Sequence, residues 1–273
     1  MKLNLDLVIN SGDADVDMDY AIETLLGASG VTRTVTEAIL TGNVQEKSHP
    51  KNETKTKLKH SFTGSYGQCF DVVISNKDSQ VRLKEITKPV FIEIMSYYIN
   101  EALFLDVPPL STRAKNIISS LDEIENSLTR AIRNKLIKMH KISLMSNYPV
   151  DLNLRQKDGK QKIITINKST ALNLTVLTES KKEHYISAVI TRFNTLTKNG
   201  RLLVSGERKT TSFGFVNGAK YVTESQTKAI SENLSDNDNV SEENRVPLTL
   251  KVRDMIISNG ETVKYLVVEV LDL

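Results

Sequence analysis

Tryptophan is absent from the 273 residues, and cysteine occurs once, at Cys69. A single thiol excludes an internal disulfide and fits a reducing compartment, so a cytoplasmic location is expected. No stretch approaches the roughly 18–20 uninterrupted apolar residues that cross a bilayer, and no membrane is expected among the partners. The opening MKLNLDLVIN has no continuous apolar core of the signal-peptide kind and reads as a first strand. Catalytic signatures are missing as well. There is no Walker A loop, G-x-G-x-x-G, G-x-S-x-G, HExxH or C-x-x-C. His49, His60, His140 and His184 fall in separate elements, which argues against zinc. Cys69 sits between Gly67 and Phe70 in a strand-like run, the position of a small core residue and not of a nucleophile. The expectation is a non-enzymatic protein with no cofactor and no metal.

What is present has two grammars. KLNLDLVIN alternates Leu3, Leu5 and Leu7 with polar residues, the period of a strand with one buried face. From Asp17 to Gly42 apolar residues recur at helical spacing, interrupted by Gly27 and Gly30, which weaken a helix or let another backbone approach. A hairpin follows over TKTKLKHSFTGSYGQCFDVVIS, then a helix over KPVFIEIMSYYINEALFL. Ser111 or Thr112 caps a long helix running to about Met139. Beyond SNYPVD, strands joined by tight turns dominate, with turns at Asp158-Gly159, Asn199-Gly200 and Asn259-Gly260. One helix and an acidic loop (Asp236, Asp238, Glu242, Glu243) interrupt them. The expected fold is α+β. An N-terminal domain over 1–147 (strand, helix, hairpin, long helix) precedes a small antiparallel β-barrel-like domain over 148–273, of OB-like or SH3-like size with one helical insertion.

Two features bear on chemistry. Asp13, Asp15, Asp17 and Asp19 alternate just before the first helix. A calcium loop would need glycine at its sixth position and glutamate at its twelfth, where Met18 and Thr24 stand. A helix cap that complements the dipole is the simpler reading; a magnesium-dependent nuclease or phosphodiesterase built on Asp13–Asp19 is the alternative. The net charge of +3 is small, but it is unevenly spread. Residues 1–147 balance at 18 basic and 18 acidic, 148–228 hold 14 against 6, and 229–273 hold 4 against 9. Arg192, Lys198, Arg201, Arg208 and Lys209 stand beside Phe193, Phe213 and Phe215, and Arg130 and Arg133 near the end of the long helix. Basic residues interleaved with aromatics on a small barrel are a means of holding single-stranded nucleic acid, although phenylalanines alternating on a strand also fill cores. These seven basic residues are the candidate nucleic-acid contacts, and the acidic loop is a candidate shield for them.

The opening LDLVINSGDADVDMDYAIETLLGAS resembles the start of prokaryotic proteins found in phage-defence gene neighbourhoods, in which a strand, a GDA-type turn and a long helix precede a small C-terminal β domain. The resemblance implies an accessory or regulatory factor in a prokaryotic or phage conflict system, one that contacts nucleic acid or a protein partner. An oligomeric scaffold joined through the 111–139 helix is a further alternative, and a homo-oligomer or a subunit of a larger complex is expected.

Overall fold

The computed structural model describes residues 1–45, 53–62, 65–156, 159–174, 178–257 and 260–271. The chain forms two units, Met1–Leu174 and Thr175–Leu273.

In the first unit the strand expected at the N-terminus is β1, Lys2–Ile9, with Leu3, Leu5, Leu7 and Ile9 fully buried on one face. Each such side chain contributes about 1.5–3 kcal/mol by leaving water. Helix α1, Met18–Thr41, starts where the Asp17 carboxylate accepts the Tyr20 N–H at 3.0 Å. It stops at Gly42, whose positive φ of 71° lets its N–H reach the Ala38 carbonyl. Strands β2, Thr54–Phe62, and β3, Tyr66–Ile74, form the expected hairpin; its Thr63 and Gly64 lie outside the described residues.

Helices α2, Lys77–Ile86, and α3, Lys88–Ala102, come next. The long helix expected to Met139 is instead broken. Helix α4, Thr112–Ser120, ends at Leu121, a single tight turn covers Asp122–Ile124, and α5 runs Glu125–Met139. The break buries the Leu121 side chain and brings Glu125 under the Tyr97 hydroxyl, which donates to it at 2.7 Å. Helix α6, Lys141–Ser146, then leads through Asn147, at a positive φ of 59°, into β4, Val150–Gln156, and β5, Gly159–Ile166. The β4–β5 hairpin stands as expected, with Asp158 of its turn outside the described residues.

The domain boundary expected at 147/148 is corrected here. Strand β4 pairs antiparallel with β1 (Leu5 opposite Leu154, Ile9 opposite Val150), giving a five-stranded sheet in the order β2-β3-β1-β4-β5. Six residues from Val150 to Ile166 (Val150, Leu152, Leu154, Ile163, Ile164 and Ile166) belong to the core shared with α1, α3 and α5. Ending the unit at 147 would expose that core edge. After the short α7, Lys168–Leu172, the unit closes at Leu174.

The second unit begins with β6, Thr178–Phe193, sixteen residues long. Strands β7, Gly200–Val204, and β8, Thr211–Phe215, follow, then α8, Glu224–Asp236, then β9, Leu248–Ile256, and β10, Thr262–Val270. The strands close a barrel in the order β10-β8-β7-β6-β9. Four of its ladders are antiparallel; β8 and β10 run parallel, so the barrel is mixed where an antiparallel one was expected. A five-stranded barrel in which one long strand joins two neighbours and a helix separates the third strand from the fourth has the connectivity of the OB-fold. Helix α8 opens with a capping box of Thr223 and Gln226 and plants Ile230 in the barrel core. Its Asn233 accepts the Ile190 N–H at 2.9 Å and donates to the Val246 carbonyl at 2.8 Å, tying helix to strands.

The expected two-residue turn at Asn199-Gly200 is not formed. The β6–β7 connection spans 194–199, and Gly200 lies within β7 opposite Phe193. A Cβ there would meet the Arg192 carbonyl oxygen and lie 2.5 Å from the Phe213 ring, so the glycine serves close approach of strands.

Candidate nucleic-acid interface

Phe193, Phe213 and Phe215 belong to the barrel core; Phe193 and Phe213 stack with ring centroids 6.0 Å apart. They are packing residues and not a platform for bases, and the physical reason is parity. Phe193 faces inward opposite Gly200, and Phe213 pairs with Gly200 from the other side.

The same parity sends the basic residues outward. Arg192 pairs with Arg201, Arg201 with Ser212, and Ser212 with Lys264, so one row crosses four strands on the outer face of β6, β7, β8 and β10. Arg201 is buried: its guanidinium donates to the Thr210 hydroxyl at 2.9 Å, the Thr210 carbonyl at 2.8 Å and the Ser212 hydroxyl at 3.2 Å. Burial, and then the neighbouring Arg201 charge, hold Arg192 down to about 10. Lys264 donates to Asn199 at 3.2 Å. The rim of this face is the 194–199 loop. Its Asn194 side chain accepts the N–H groups of Leu196 and Thr197, both at 2.9 Å, while Lys198 takes a positive φ of 57°. Strands two and three of an OB barrel, with the loop between strands one and two, are the surface this architecture uses for oligonucleotides and oligosaccharides.

The remaining sequence candidates divide. Arg208 and Lys209 are exposed on the β7–β8 connection. Arg208 lines a cleft of about 410 Å³ together with Glu207, Glu242 and Arg245, so the acidic loop comes beside one of the basic residues it was expected to shield. Arg130 and Arg133 lie in the other unit. Arg133 is held internally: it donates to the carbonyls of Ala102 at 2.7 Å and Asn173 at 3.0 Å, with its guanidinium 4.8 Å from the Phe104 ring centroid. It anchors the end of α3, and burial lowers its pKa. Lys264 was missed, because only barrel closure places β10 beside β8. On another side of the barrel Arg253 bridges Glu179 and Glu183, at 3.1 and 2.7 Å, and Lys251 meets Glu183 at 2.8 Å.

Asp13, Asp15, Asp17 and Asp19 are exposed, and Asp17 is engaged as the α1 cap. Among the described residues no group of three or more His, Cys, Asp and Glu could hold a metal ion, and no helix is long and apolar enough to cross a membrane. Burial pushes the Cys69 thiol up, away from the reactive thiolate. An apolar cleft of about 350 Å³ lies in the first unit between α1 and β2, lined by Ile22, Leu25, Leu26, Thr56, Leu58 and Phe70. The 111–139 segment, by contrast, spends its stripe internally: Ile118, Leu121, Leu128, Ile132 and Leu136 are all buried.

No family model, curated protein or solved structure matches the chain.

Proposed function

We propose that the chain acts by binding and not by catalysis, as an accessory factor of a prokaryotic or phage conflict system that contacts nucleic acid through the β7–β8 face of its barrel. The observation that carries this reading is the Arg192–Arg201–Ser212–Lys264 row, which gathers cations from three separate parts of the chain on the face an OB barrel uses for oligonucleotides. Phosphate contact of this kind makes affinity fall with salt. Arg201 is unsuited to the test, since removing its guanidinium would release Thr210 and Ser212 together. The variant is Lys198→Gln, Lys209→Gln and Lys264→Gln combined, which takes the partly exposed lysine of the row together with two cations of the neighbouring loops. Binding of a fluorescein-labelled single-stranded 20-mer is followed by anisotropy between 50 and 200 mM salt. The expected result is a salt slope shallower by about 2, with affinity at low salt reduced roughly tenfold. Wild-type affinity and slope in the triple variant refute the barrel as the contact.

Self-association is the second reading, favoured by the apolar cleft of α1 and β2. Of its lining, Ile22, Leu26 and Leu58 are exposed at 50, 56 and 68 %. Light scattering across a concentration series, with Leu26→Glu as the comparison, tests it: a wild-type chain that stays monomeric at all concentrations removes self-association.

A further inference from the structure

The second unit, residues 175–273, holds 13 basic and 13 acidic side chains and is balanced. The positive charge of the molecule lies elsewhere, on the outer face of the five-stranded sheet. Residues that pair across strands share a face, so the register identifies it. Strand β1 contributes Lys2 and Asp6. Strand β2 adds Lys55, opposite Val73, and Lys57, opposite Asp71, while Lys59 reaches Asp71 at 3.2 Å. Arg155 of β4 pairs with Lys160 of β5, and Lys162 stands opposite Asn153, itself opposite Asp6. Seven cations therefore share the face that turns away from the Leu3–Ile9 core.

The acids on this face sit beneath the cations. Asp6 is fully buried and clasped by Arg155 at 2.9 Å and Lys160 at 3.1 Å. Asp71 is nearly buried between Lys2, at 3.3 Å, and Lys59. Asp151 takes Lys162 at 3.4 Å. Three carboxylates against seven cations leave a surplus of four, more than the whole chain's net +3. Each carboxylate also holds its lysines or arginine in place, with the charged tips outward: Lys2, Lys160 and Lys162 side chains are 56, 43 and 63 % exposed.

We propose that this sheet face is a second nucleic-acid-binding surface, one that grips the phosphate backbone without reading sequence. The side-chain chemistry favours that partner. Six of the seven cations are lysines, point charges on flexible stems that suit phosphates in varied geometry. Between them lie Asn4, Asn153 and Thr165, with the small aliphatics Val8 and Val73, in place of the large apolar anchor a protein interface needs at its centre. Among the described residues the aromatic of this face is Phe62, which lies under Lys160 and Arg155, 4.7 and 5.3 Å from its ring centroid, and is covered by them. Five strands span about 19 Å, and cations on alternate residues of β2 recur about every 6.7 Å, a track along which one nucleic-acid strand can lie.

The test uses the full chain and two labelled 30-mers of mixed sequence, one single-stranded and one duplex, in anisotropy titrations from 50 to 200 mM salt. Lys55→Gln, Lys57→Gln and Lys162→Gln together are expected to make the salt slope shallower by 2 to 3 and to weaken low-salt binding at least tenfold, about equally for different sequences. Asp71→Asn removes the anion beneath Lys2 and Lys59 and is expected to tighten binding, a change that loss of folding cannot produce. Loss in the barrel variant alone, with the sheet variant unaffected, overturns this proposal and leaves the barrel reading standing; loss in the sheet variant alone does the reverse. Capture by phosphatidylserine vesicles with no affinity for either 30-mer also overturns it.

Discussion

Gly27→Ala and Gly30→Ala, three residues apart on α1, are expected to act in opposite directions, and the structure gives the reason. At Gly27 an added Cβ would lie 2.6 Å from the Met139 Cα and 2.7 Å from the Lys135 carbonyl oxygen, and against the Met139 nitrogen. Carbon atoms pack at about 3.5–4.0 Å, so α1 and α5 would have to part by roughly 1 Å. Every obstructing atom is main chain, and none can rotate aside. Overpacking of this kind costs about 1–3 kcal/mol, with backbone obstruction at the upper end. Alanine returns about 1 kcal/mol of helix propensity over glycine, leaving a net loss near 2 kcal/mol. At Gly30 the neighbours are side-chain carbons of Lys135 at 3.0–3.4 Å. That chain can swing, so most of the propensity gain survives. Thermal unfolding followed by circular dichroism measures both variants. Gly27→Ala is expected to lower the melting point of the first unit by about 4–8 °C, while Gly30→Ala leaves it unchanged or raises it slightly. Equal shifts for the two variants would show that the helices do not meet backbone to backbone at Gly27.

Two further outcomes follow from buried groups. His140 is fully buried, its Nδ1 donating to the Leu136 carbonyl at 2.7 Å and its Nε2 facing the Thr170 hydroxyl at 2.9 Å, and burial lowers its pKa to about 4. The unfolded chain takes up this proton near pH 6.5 and the folded chain only near 4, so the contribution is intact above 6.5 and is lost as pH falls toward 4, at up to about 1.4 kcal/mol per pH unit; melting curves of wild type and His140→Gln that stay parallel from pH 7 to 4.5 would contradict it. Gly200→Ala drives a Cβ into the Arg192 carbonyl and the Phe213 ring, and is expected to destabilise the barrel by about 2–3 kcal/mol, read as loss of exchange protection in β6, β7 and β8 with the first unit unaffected.

Local pattern carried much of the fold. The Leu3–Leu5–Leu7 alternation, the Asp17 cap and Gly42 stop of α1, the β2–β3 and β4–β5 hairpins and the strand–helix–strand order of the barrel were all legible, because each depends on residues within a few positions of one another. Gly27 was legible as a site of close approach, though not its partner. Helix α2 was not, since only Ser79, Leu83 and Ile86 of its ten residues are buried and it shows no apolar stripe. The break at Leu121 was hidden because isoleucines and leucines keep helical spacing through it.

The charge layout shows how a non-local pairing changes a functional reading built on local counts. Counted along the chain, the surplus of +8 over residues 148–228 falls in what the turn pattern marks as the β domain. Strand β4, however, returns to β1 across more than 140 residues, and the break between units falls at Leu174. Arg155, Lys160 and Lys162 therefore join the first sheet, where they meet Lys2, Lys55, Lys57 and Lys59, cations drawn from a segment that had looked neutral. In the barrel, what remains is offset in sum by its acidic residues, 13 basic against 13 acidic over 175–273, and one basic row crosses β6, β7, β8 and β10. A window of sequence averages over faces; a strand sends alternate residues to opposite ones. The sign of a surface is therefore decided by register and by which strands share a sheet, and here both move the centre of positive charge from the barrel to the open face of the N-terminal sheet.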